Sequence, residues 1–177
     1  MLSDLPAERA VLSGVFRYGA EAYHDVCDLI SESSFTDESN SVLFSCAKHA
    51  LEADDSRSLD VPTMLSSAKE LSLNDFFNTQ EVQHMNSIMK FPVLLDNVRK
   101  FAIKVKKLEI ARTMHDQLEL TKEKYLEVKG DESIAAILAI AEEAVMDATS
   151  FVATSDESPA SIFDDIEEYL DELAEEG

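Results

Sequence analysis

The sequence predicts an all-α protein: a small helical bundle followed by a long antiparallel helical hairpin and a separate C-terminal amphipathic linker helix. Three observations carry this. Apolar residues recur at three- and four-residue spacing almost throughout the 177 residues, the period of a helix with one buried face. Runs of β-branched residues alternating with polar ones, the mark of a half-buried strand, are few. The stretch from Asp96 to about Val128 holds neither Gly nor Pro, and as one helix it would extend about 50 Å, more than a core of this size encloses.

Element by element, Leu5-Pro6 opens the first helix, with Pro6 in the first turn where its missing N–H costs nothing. Ala10, Val11, Gly14 and Val15 form its inward face, and Gly19 ends it. A second helix from about Glu21 to Ser31 carries Ala22, Val26, Leu29 and Ile30. A turn through residues 33–37 leads to a third, from about Ser39 to Ala53, with Val42, Leu43, Cys46, Ala47 and Ala50. Residues 54–58 are polar and turn-forming. Asp60 or Val61 caps a helix from Pro62 to about Leu71. Asp75 to Met89 reads as one or two short helices, stopped before Phe91-Pro92 because the residue preceding a proline is pushed out of the helical region.

The long helix carries two apolar stripes, one through Val98, Phe101, Val105 and Leu108, the other through Ile103, Ile110, Met114 and Gln117. Two of its sides therefore want partners. One partner is Ser133 to Ala148, with Ile134, Ile137, Leu138, Ala141, Val145 and Ala148 on a face, reached through a turn in which Gly130 suits a left-handed C-cap. Residues 154–158 are linker-like, and Ser158-Pro159 begins the last helix, whose stripe is Ile162, Phe163, Ile166, Tyr169, Leu170 and Leu173. The expected plan is 1–95 globular bundle, 96–150 hairpin for self-association, 151–158 flexible linker, 159–177 acidic amphipathic helix.

Composition excludes several classes. A 45% hydrophobic and 29% charged chain has enough apolar surface to offset chain entropy, so wholesale disorder is excluded. The longest strongly apolar stretch, Ile134 to Ala141, is far below the roughly 20 residues that cross a bilayer, and the N-terminus lacks the basic start and apolar core of an export signal. Two cysteines are no disulfide framework, and a reducing, cytoplasmic setting is expected. The four glycines, at 14, 19, 130 and 177, leave no room for a phosphate-cradling Gly-rich loop, so no cofactor is expected in this chain.

Three constellations were weighed against plainer readings. His24-x-x-Cys27 and Cys46-x-x-His49 form a Cys2His2 set at chelating spacings, but both pairs lie mid-helix with the cysteines at small apolar positions, so no metal site is expected. Arg99, Lys100, Lys104, Lys106, Lys107 and Arg112 concentrate six of fifteen basic residues. A chain of net charge −21 repels phosphates, so these read as a solvated face or as partners for acidic segments, and DNA is contacted only indirectly. No nucleophile, base and orienting acid can be assembled around His84 or His115, so no catalytic residue is assigned.

The order of segments resembles the N-terminal domain and linker of DnaB-type replicative hexameric helicases of bacteria and their phages. Leu5-Pro6-Ala7-Glu8-Arg9-Ala10-Val11-Leu12-Ser13-Gly14 looks like the family's P-x-x-E-x-A-V-L-G start. Ser34-Phe35 followed by Val42-Leu43-Phe44 looks like its D-F-Y…I-F segment, and Leu59-Asp60-Val61-Pro62-Thr63 resembles its I-D-x-V-T turn. Asn97-Val98-Arg99-Lys100-Phe101 resembles the N-I-x-x-Y-A start of the hairpin. The chain departs from the pattern at Asn40-Ser41, where a His is usual, and in lacking a Gly-containing turn between Ser72 and Gln83.

The resemblance implies a non-catalytic collar module. The hairpin would pair with a second hairpin through Val98, Phe101, Val105, Leu108 and Arg112, building dimers to hexamers. The stripe from Ile162 to Leu173 would dock on the neighbouring subunit's ATPase domain, and primase, with in some members a helicase loader, would be received. ATP and magnesium would belong to a downstream motor domain. Two other readings are an acidic DNA-mimic inhibitor, suggested by the charge and the ten acidic, no basic residues from Asp156 to Gly177, and a stand-alone loader or adaptor.

Overall fold

The structure is a computed structural model that describes the backbone of residues 2–154 and the side chains of residues 2–146. Among these residues there is no strand. The helices are α1 (Leu5–Tyr18), α2 (Ala20–Val26), α3 (Glu38–Ala53), α4 (Val61–Glu70), α5 (Thr79–Met89), α6 (Leu95–Leu126) and α7 (Ile134–Thr154), with single 3-10 turns at Glu32–Ser34 and Asn74–Phe76. The expected linker at 151–158 begins inside α7 over its first four residues. The expected helix at 159–177 lies outside the described residues.

Acidic and amide side chains start four of these helices. The N-terminal turn leaves backbone N–H groups without helical partners, and a short oxygen-bearing side chain satisfies them. Asp4 accepts from Ala7 N (3.0 Å), Asp37 from Asn40 N (3.2 Å), Asp60 from Thr63 N (2.9 Å), and Asn78 from Gln80 N and Glu81 N (2.8 and 3.1 Å). Of the two caps expected for α4, Asp60 is the one used. α2 stops at Val26 instead of running to Ser31. The Asp25 carbonyl, which a longer helix would give to Leu29, accepts from Arg99, and Leu29 N turns back to Val26 O (3.0 Å).

The bundle packs α1 against α2, α3 and α5, and α3 against α4. Leu12, Leu43, Leu51, Met64, Met85 and Ile88 are fully enclosed, and Tyr23, Phe44 and Phe35 make a chain of tilted rings with centroids 6.3 and 5.1 Å apart. One charge sits inside this core. Glu8, 1% exposed, accepts from Thr36 N (2.8 Å), the Thr36 hydroxyl and Asn40 Nδ2 (2.8 Å). Asn40 Oδ1 in turn accepts from His84 Nε2 at 3.0 Å. A buried carboxylate is tolerated only when its lone pairs are met, and here the donors come from the loop before α3 and from α3 itself.

The chain divides after Arg112, where the expected boundary was residue 95. The first half of α6 belongs to the bundle: Val98 and Ala102 are completely buried and Val105 is 2% exposed. The fit is tight enough to require glycine at position 14, since a Cβ there would lie 2.8 Å from Cγ1 of Val98 and closer still to Cγ2. The second unit begins at Thr113. In it the end of α6 and α7 run antiparallel, Lys124 pairing with Glu143 (2.7 Å) and the Tyr125 hydroxyl donating to Ile137 O (3.3 Å).

α4 ends without glycine. Leu73 N bonds Ala68 O (2.7 Å) and Ser72 N bonds Lys69 O (3.1 Å), a Schellman closure with Ser72 at φ 60°, where an L side chain is strained. Ser72→Gly should raise unfolding stability by about 1 kcal/mol, read by urea denaturation; a loss would show that the serine side chain stabilises the turn. Gly14→Ala should cost about 1–3 kcal/mol by overpacking against Val98. Gly14→Ala combined with Val98→Ala should cost less than the sum of the two single variants, and strict additivity would contradict the packing.

Candidate self-association surface

The basic stretch of α6 turns onto its own bundle. Arg99 grips Asp28 with both terminal nitrogens (3.0 and 3.2 Å) and Lys104 pairs with Asp4. Lys106 reaches Glu109 at 3.1 Å. That carboxylate, 4% exposed, also accepts from Ser33 (2.9 Å) and Ser34 (2.7 Å) in the first 3-10 turn. Arg112 spreads its fork over two carbonyls, Leu2 O (2.9 Å) and Ser34 O (2.7 Å). Arg99, Lys104 and Arg112 clamp α6 to the bundle, and two of the acids they meet are shifted. Lys104, helped by the Ala7 N–H, holds the Asp4 carboxyl below the usual carboxylate range, and Arg99 does the same for Asp28.

The residues expected to bind a second copy are therefore largely committed within the chain. Val98 and Val105 are core, Phe101 packs against that core, Leu108 is half-buried and Arg112 holds the two carbonyls. The stripe is real, but it faces the bundle, because α6 has to cover the open side of α1. Ile162, Phe163, Ile166, Tyr169, Leu170 and Leu173, expected to dock on a motor domain, lie outside the described residues.

The second unit offers what the first does not. On α7 the half-buried positions are Ile137, Ile140 and Ala144, spaced three and four apart. Ile134, Leu138 and Val145, expected on the face toward α6, are 77%, 58% and 62% exposed. Ile134, Leu138, Ala141 and Val145 follow the i, i+4, i+7, i+11 rule and lie within about 60° of arc at 100° per residue. The apolar arc of α7 is thus wider than one partner helix covers. Leu118 on α6, absent from either predicted stripe, is 60% exposed. The missed signal was that width: Ile137 and Ile140 fall to one side of the Ile134–Leu138 line, so one helix carries two faces.

The Cys2His2 residues go elsewhere. His24 pairs with Asp55 (3.3 Å) and His49 with Glu70 (2.8 Å). Cys27 is exposed, whereas Cys46 is buried and its thiol is pushed up to about 11 by desolvation. No group of three or more His, Cys, Asp or Glu among the described residues is placed to hold a metal ion, and no helix among them is long and apolar enough to cross a membrane.

The first unit is an all-α bundle, and the second carries an exposed apolar helical face. Residues 1–107 match the family model described as DnaB-like helicase N terminal domain, and the chain belongs to that family. Its fold is similar to the crystal structure of the N-terminal domain of DnaB helicase from Mycobacterium tuberculosis, with a TM-score of 0.66 at 16% identity, covering 82% of this chain and 97% of that one. No curated protein matches the chain.

A lowered carboxyl stabilises the fold above its unfolded pKa and loses that contribution as pH falls through the folded value. For Asp4 and Asp28, stability should be flat near neutrality and decline below about pH 4. In a chain carrying both Lys104→Met and Arg99→Met the decline should be shallower. Urea midpoints across the acid range measure it, and an identical acid limb would show that these pairs do not report on folding.

Proposed function

We propose that this chain is the oligomerisation and partner-recruitment module, the collar, of a hexameric ATP-dependent replicative DNA helicase, acting in the cytoplasm during DNA replication. Family membership supports the setting. The observation that carries the reading is the exposed α7 stripe, since an apolar ridge on an antiparallel hairpin is buried when a second hairpin packs against it.

The pairing face is therefore revised to Ile134, Leu138 and Ala141, and it replaces the α6 stripe that the bundle consumes. The chain itself does no chemistry. ATP and magnesium belong to a motor domain, with which the 162–173 stripe engages. Recruitment of primase and of a loader rests on the family alone.

Light scattering over a concentration series tests this. The 177-residue chain should give even-numbered species that grow by mass action, and Leu138→Glu, at an exposed position, should move the population to monomer with unchanged helicity and thermal midpoint. Phe101→Asp should instead lower stability, because that ring packs on the core. A strict monomer at high concentration, or a Leu138→Glu variant that assembles like the parent, would overturn the proposed face.

A further inference from the structure

The bundle has an open groove of about 320 Å³ beside α3. Its lining includes Lys48, His49 and Glu52 of α3, Glu32 of the first 3-10 turn, and Leu71 and Leu73 after α4. The two leucines flank the strained Ser72, so the turn that closes α4 also sets them along the groove. Leu71 remains 37% exposed. An apolar wall facing polar groups that can fix an orientation is the make-up of a recognition groove.

The charges decide what fits. Lys48 is neutralised by Glu32 (3.2 Å) and His49 is held by Glu70 (2.8 Å). Glu52 meets only a phenol, Tyr23 Oη at 2.9 Å, and has no cation among the described residues. Asp54 and Asp55 lie exposed just beyond it. The groove thus pairs an aliphatic wall with an uncompensated carboxylate at one end. A second copy of this chain is a poor source of the complement, because it holds 15 basic residues against 36 acidic and Arg99, Lys104 and Lys106 of its 99–112 stretch are already paired with carboxylates of their own chain. Nucleic acid would be repelled.

We propose that this groove docks a cationic amphipathic segment of another protein, an aliphatic side chain lying between Leu71 and Leu73 and a Lys or Arg pairing with Glu52. The long-range field of a −21 chain draws such a segment in, and the groove gives it a register. The inference is independent of the hairpin, so either can fail without the other.

The test uses the 177-residue chain and two labelled synthetic peptides, an amphipathic Leu-Lys sequence and its Leu-Glu counterpart. Anisotropy should show binding of the Leu-Lys peptide alone, and amide shifts should cluster around Glu32, Lys48 to Glu52 and Leu71 to Leu73. Leu71→Ser and Glu52→Gln, both at exposed positions and checked for unchanged helicity, should each weaken binding by roughly tenfold. The proposal is overturned by no binding, by equal binding of the Leu-Glu peptide, by shifts spread over the acidic surface, or by parental affinity in both groove variants.

Discussion

The buried carboxylate of Glu8 is the constraint on which the bundle turns. A charge removed from water costs several kcal/mol unless it is met by donors, and the donors here are a backbone N–H, a hydroxyl and an amide drawn from the loop and helix that follow α2. That requirement fixes how α3 approaches α1. Asn40, its amide spent on Glu8, passes its oxygen to His84, so α5 is keyed to the same point. Leu12, Phe44 and Met85 are buried around it, and the directional hydrogen bonds of Glu8 and Asn40 join α1, α3 and α5 at one point within that apolar packing.

Glu109 repeats the device a few residues earlier along the same loop. Two serines and a lysine surround it, and Arg112 ties the same 3-10 turn one helical turn further along. α6 is thereby split in use. Up to Arg112 it is a structural member of the bundle, gripped by ion pairs and by the Gly14–Val98 contact; beyond it, the helix joins α7 in a unit whose apolar surface is only partly covered.

Much of this was legible in the sequence. The helical class, the stop at Gly19 and the antiparallel return after Gly130 follow from periodicity and from residues with narrow backbone preferences, whereas the choice of Asp60 over Val61 as cap and of one helix over two at residues 79–89 came from the structure. What was not legible is which neighbour a stripe faces. Val98, Phe101, Val105 and Leu108 form a genuine apolar line, but periodicity shows that a face is buried and says nothing about whether its cover is the same chain or another. The same limit misassigned Ile134 and Leu138 to the inside of the hairpin. Glu8 and Glu109 escaped notice because acidic residues are read as surface by default, and only three-dimensional proximity to Thr36, Asn40, Ser33 and Ser34 reveals otherwise.

The bonding of Arg99, Lys104, Lys106 and Arg112 within their own chain has an outcome for assembly as well as for the fold. The chain carries a net charge of −21, and bringing two such bodies together works against Coulomb repulsion that is screened over about 8 Å at physiological ionic strength. Added salt should therefore favour union of the copies, the reverse of the response shown by proteins that hold a polyanion through released counterions. Ionic strength would thereby act on the pairing proposed for the exposed α7 face.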